Sequence, residues 1–197
     1  MRETARYIVK NPFLILILVC AFLFHMMIVF PSGSSYCFQE KCGYFFWGSH
    51  GHDSIWHIAL VENAFKTFPF TLPIFSGAVL SGYNILLDLT VFLLAKIGIP
   101  SLISFFKIIP ILWFILFTHA SIVVARKIID KPLFVGLALF FFFFGGSFGY
   151  LLTLYHNHTL NGSEGLLAMQ SGHTLLNIQY GFSLLIILYI LIILLNK

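Results

Sequence analysis

Residues 48–57 read GSHGHDSIWH and gather His50, His52, Asp53 and His57 in a chain otherwise rich in Leu, Ile and Phe. Two chemistries suit these types at this spacing. A carboxylate with an imidazole one helical turn further on can take the proton of an attacking hydroxyl. Imidazoles together with a carboxylate can also hold a divalent cation. Each residue has a plainer use too. Asp is a favoured helix N-cap, and Asp53 stands at the start of an amphipathic run. Each histidine can sit in an interfacial turn with one ring nitrogen satisfied.

A second polar stretch, 153–177, reads TLYHNHTLNGSEGLLAMQSGHTLLN and supplies His156, His158, Glu164 and His173. His50, His52, Asp53, His156 and His158 are the candidate ligands if a divalent cation is bound; a solvated loop is the plain alternative. The sequons at Asn157 and Asn161 count only in a eukaryotic secretory pathway. Cys37 and Cys42, in YCFQEKCG, are spaced for a small disulfide loop in an oxidising compartment. Free thiols, or a zinc site completed by His50 and His52, remain open. Cys20 reads as a packing residue inside an apolar segment.

The elements that must position these groups follow from composition. Of 197 residues, 59% are hydrophobic and only 9% are charged, with a mean hydropathy of +0.97. A soluble domain carries roughly 25% charged residues. The expected fold is therefore an all-α integral membrane protein surrounded by membrane lipids. The net charge of +4 is scattered at the ends of apolar segments, with no basic run or aromatic platform, which excludes a nucleic-acid partner.

Four spans are expected, over about 12–30, 101–124, 132–152 and 178–196. Arg2, Arg6 and Lys10 precede the first, which reads as a signal anchor with a cytoplasmic N-terminus. The segment 83–97 is short and carries Asp88 and Lys96. If it crossed, Arg126, Lys127 and Lys131 would fall outside; if it lies in the interface, every basic cluster falls inside. The second arrangement puts the stretches 31–82 and 153–177 on the outer side.

Within 31–82 a first interfacial helix is expected over 53–66. Trp56, Leu60 and Ala64 form its apolar stripe, and Ser54, Glu62, Asn63 and Lys66 its polar side. Glu62 and Lys66 are four apart in the favourable order. Pro69 and Pro73 end the helix.

An Asp-bearing helix after one span, then TFPFTLPIFSG, then SGYNILLDLTVFLL, a GIP turn and a long span ending in basic residues resembles the start of the GT-C membrane glycosyltransferases. These are the polyprenyl-phosphate-sugar-dependent enzymes of the protein mannosyltransferase and aminoarabinose transferase type. The resemblance covers roughly 12–152 and rests on order and pattern. It implies two interfacial helices in the first outer loop. It also implies a lipid-linked sugar donor and Asp53 as general base or acceptor-binding group. His50, His52 and Lys66 are then candidates beside the departing phosphate, and His57 and Tyr83 line the substrate. Ser54 stands where many members have Glu, and Ser81-Gly82-Tyr83 where the aminoarabinose type has Glu-Lys-Pro. The family has more spans, so the chain reads as the N-terminal part of such an enzyme, in a bacterial plasma membrane. The competing reading is a non-catalytic subunit or small transporter whose histidine-rich outer loop binds metal. The sequence leaves the sugar, the acceptor and the oligomeric state open.

Overall fold

The computed structural model describes residues 1–46, 48–51, 53–75, 77–145, 149–158 and 178–196. The protein is mostly helical, at 70%. Among the described residues, two helices are long and apolar enough to cross a membrane: α2 (Pro12–Val29) and α5 (Ser101–Ile128). These point to a membrane protein. The expected spans over 132–152 and 178–196 appear as shorter apolar helices, α6 (Pro132–Phe144) and α8 (Ile178–Leu194), with α7 (Gly149–Asn157) between them. The chain divides into two units, Met1–His25 with Trp113–Lys197, and Met26–Leu112.

In the first unit, α1 (Arg2–Val9) ends before Asn11-Pro12, because the residue preceding a proline is pushed out of helical geometry. The Asn11 side chain donates to the Tyr7 carbonyl at 2.7 Å. Aromatic rings fill the interior: Trp113 stacks on Phe117 at 4.7 Å, and Phe114 packs on Phe143 at 5.1 Å. His25 is buried among Trp113 and Phe114. Cys20, expected to pack, lies on the exposed side of α2. The basic residues close helix ends. Arg126 makes two hydrogen bonds to Asp130, at 2.8 and 3.0 Å, and Lys127 donates to the Leu195 carbonyl at 3.3 Å.

The second unit departs from an all-α chain. It contains an antiparallel hairpin, β1 (Ser34–Phe38) and β2 (Lys41–Phe45), with Cys37 opposite Cys42 and the two joined by a disulfide. The two-residue turn puts Gln39 and Glu40 at φ 46° and 66°. Tight hairpins want that left-handed geometry, and Asn-Gly usually supplies it.

Gly33 anchors the hairpin. Its N–H donates to the Phe45 carbonyl at 2.8 Å and its φ is +72°. A Cβ at this position would lie 2.6 Å from the ring of the fully buried Phe106. Gly33→Ala therefore combines left-handed strain with overpacking and is expected to cost about 2–4 kcal/mol. A denaturation midpoint in detergent within error of wild type would contradict this.

The remaining elements support the site. A 3-10 turn, Gly48–Gly51, leads into α3 (Asp53–Asn63), and a further 3-10 turn, Ala64–Lys66, follows it. The α3 helix packs on α4 (Leu86–Lys96). Leu60, Ala64 and Phe65 form the buried centre, covered by Trp56, Phe70, Ile85, Leu89 and Phe92. Ser54, assigned above to the polar side, is instead buried. Glu62 accepts a hydrogen bond from Ser101, at the first turn of α5, where a carboxylate also complements the helix dipole.

Helix α5 contains a π-helical turn over Ser104–Ile108. From it, Lys107 donates to the carbonyls of Phe30 and Ser32 and to the Ser34 hydroxyl. A cation there satisfies the carbonyls that the end of α2 leaves open.

Candidate functional site

Asp53 is the first residue of α3 and is exposed. Its carboxylate sits where free N–H groups and the helix dipole favour negative charge. One turn later, His57 presents Nδ1 3.1 Å from each carboxylate oxygen of Asp88. The side chain of His57 is 12% exposed and that of Asp88 is 0%. Asp88 lies in the first turn of α4, so the packing of α3 on α4 is what brings the pair together. The ring of Phe105 stacks on His57 at 6.0 Å.

Tyr83 stands just before α4, its ring 6.0 Å from His57 and 6.2 Å from Trp56. Burial raises the pKa of its hydroxyl above the usual phenol value. The Trp56 N–H hydrogen bond opposes this, and the Asp88 and Asp53 carboxylates add to it. Tyr83 therefore stays protonated near neutral pH and can donate. His57, Tyr83 and Asp88 thus form one cluster around a part-buried imidazole and a fully buried carboxylate, and Asp53 adds an exposed proton acceptor one helical turn away.

His50 is 1% exposed, with Nδ1 2.7 Å from the Ser32 hydroxyl and its ring against Phe106. Burial lowers its pKa to about 4, against an opposing effect of Asp53. With its pKa so lowered it is neutral at pH 7, so beside a phosphate it would act as a neutral N–H donor rather than as a cation.

The shift has a pH consequence. Between pH 6.5 and 4 the unfolded chain takes up a proton at His50 that the folded chain refuses. The contribution of this residue to stability is therefore whole above about pH 6.5 and shrinks as pH falls toward 4. The loss at pH 5 is about 2 kcal/mol. His50→Gln should flatten that part of the profile between pH 7.5 and 5. An unchanged slope would contradict the assignment.

Lys66 is exposed at the end of the Ala64–Lys66 turn. Helical rise puts it about 20 Å along the element from Asp53, too far to share its substrate atoms. His52 lies outside the described residues, as do Glu164 and His173. His156 and His158 are exposed at the end of α7. Cys37 and Cys42 are spent in their disulfide and are not zinc ligands. Among the described residues, no three His, Cys, Asp or Glu side chains converge to hold a metal ion.

Asp88 is the residue that sequence reasoning missed as a site member. It lies 31 positions from His57, so no local spacing links them. The available signal was a carboxylate inside the apolar run LLDLTVFLL, which must find a partner when buried.

No family model, curated protein or solved structure matches this chain.

Proposed function

We propose that the protein is a membrane glycosyltransferase of the GT-C type, or the N-terminal part of one. It would move a sugar from a polyprenyl-phosphate carrier to a hydroxyl acceptor on the outer face of a bacterial plasma membrane, with its own N-terminus cytoplasmic. One observation carries the reading. The exposed Asp53 opens a helix that packs on a second short helix, and one turn along it stands His57, paired with the buried Asp88 and in ring contact with Tyr83.

The chemistry needs little more. As the acceptor oxygen bonds to the anomeric carbon, its proton passes to the Asp53 carboxylate. The bond from the anomeric carbon to the phosphate oxygen breaks, and the electron pair leaves with the lipid phosphate. Donors beside that oxygen lower the barrier. Tyr83, held protonated, is one such donor. The buried Asp88 holds the His57 ring in place and favours its Nδ1–H form.

The test uses the full chain in membrane vesicles, supplied with a panel of radiolabelled polyprenyl-phosphate sugars. Label passing to an acceptor with wild type and not with Asp53→Asn, at equal folded yield, supports the proposal. Equal transfer by both removes Asp53 from the mechanism. For the metal-binding alternative, the described residues bring no three ligands together, and Cys37 and Cys42 are bonded to each other.

A further inference from the structure

The hairpin exposes an aromatic face that the proposed chemistry does not use. Its register sets Tyr36 opposite Gly43, Phe38 opposite Lys41, and Ser34 opposite Phe45. Side chains alternate along a strand, so Tyr36, Phe38, Lys41 and Phe45 share one face, and the disulfide and Tyr44 take the other. The three rings on the first face are 51%, 68% and 44% exposed. A side chain at Gly43 would meet the Tyr36 ring at 3.5 Å, so the glycine leaves that ring free to lie across the second strand.

This face has a fixed origin. Val29 is the last residue of α2, a helix with the length and composition to cross a membrane, and β1 begins at Ser34. The junction is fastened. Lys107 binds the Phe30 and Ser32 carbonyls and the Ser34 hydroxyl, and Gly33 ties β1 to the end of β2. Both strands therefore leave from the point where α2 ends. Five strand residues extend about 17 Å, so a hairpin lying along the surface from this origin keeps all three rings at headgroup level. Tyr and Phe with a lysine, at the end of a spanning helix, match the membrane–water interface. There the rings enter the headgroup layer and the ammonium meets lipid phosphates.

We propose that Tyr36, Phe38, Lys41 and Phe45 form a lipid-docking face that lays the hairpin on the bilayer surface beside the end of α2. The inference rests on the membrane reading of α2 and is independent of the transferase reading.

The test places trifluoromethyl-phenylalanine at position 38, and separately at position 44 on the opposite face, in the full chain. Each protein is reconstituted in nanodiscs of phosphatidylethanolamine and phosphatidylglycerol. The fluorine line is recorded with a headgroup nitroxide lipid and with a water-soluble gadolinium chelate. The expected result is strong broadening of position 38 by the lipid nitroxide, and several-fold stronger broadening by gadolinium at 44 than at 38. Equal gadolinium broadening at both positions would overturn the proposal, because the face would then lie in water. Screening of position 38 from both reagents would overturn it too, because protein would then cover the face.

Discussion

Asp53→Asn is expected to lower sugar transfer by about 10²–10⁴-fold, the usual worth of a positioned general base, while leaving the fold in place. The substitution separates the two roles open to this residue. Asp53 is the first residue inside α3 rather than its cap, so Asn there keeps the shape of the side chain and leaves the helix start in place. What disappears is the ability to accept a proton. The lost charge at the helix N-terminus is worth about 0.3–1 kcal/mol at an exposed position, too little to unfold the chain. Transfer measured in vesicles should fall while the melting midpoint in detergent barely moves. Transfer within twofold of wild type would leave Asp53 only its favourable charge in the first turn of α3. A large drop in the midpoint would show that the loss is structural.

The second large effect is on stability. His57→Ala leaves the Asp88 carboxylate, at 0% exposure, without its imidazole. Removing one partner of a buried charged pair typically costs about 3–5 kcal/mol, because the remaining charge is still desolvated. His57→Ala combined with Asp88→Leu removes the charge and fills the space with apolar atoms, and should recover much of the loss. Denaturation of both variants in detergent checks the pattern. A single-variant cost below about 1 kcal/mol, or a double variant worse than the single, would mean that the pair does not hold α3 and α4 together. The same pair orients the site, so transfer should fall in the single variant even under conditions where it stays folded.

Hydropathy and helix signals were legible where one segment carries its own reason. The apolar run from Pro12 to Val29 and the one beginning at Ser101 could be read directly, as could the helix opening at Asp53 with Trp56, Leu60 and Ala64 on one side. The hairpin was not legible. Its turn residues, Gln39 and Glu40, are not types that favour φ > 0, so the usual hairpin signal is missing. Of the candidate site, Asp53 and Tyr83 could be picked out by type and place in the sequence, whereas Asp88 was hidden, because its partner depends on the packing of two helices far apart in sequence. The burial of His50 was hidden for a related reason. Nothing in GSHGHD announces that Ser32 and Phe106 will enclose its ring.

The π-helical turn of α5 has a further consequence. Three neighbouring residues in it serve three different clients: Phe105 backs His57, Phe106 backs His50, and Lys107 holds the carbonyls at the end of α2. Such a turn carries one residue more than a regular helical turn would. A one-residue deletion between Ser104 and Ile108 would leave a helix just as apolar, and hydropathy would not register the change. It would still close the bulge to a regular turn, which has one side chain fewer and aims the rest differently, and the three clients could no longer be met together. In this stretch the chain should therefore bear conservative substitution far better than any change in length.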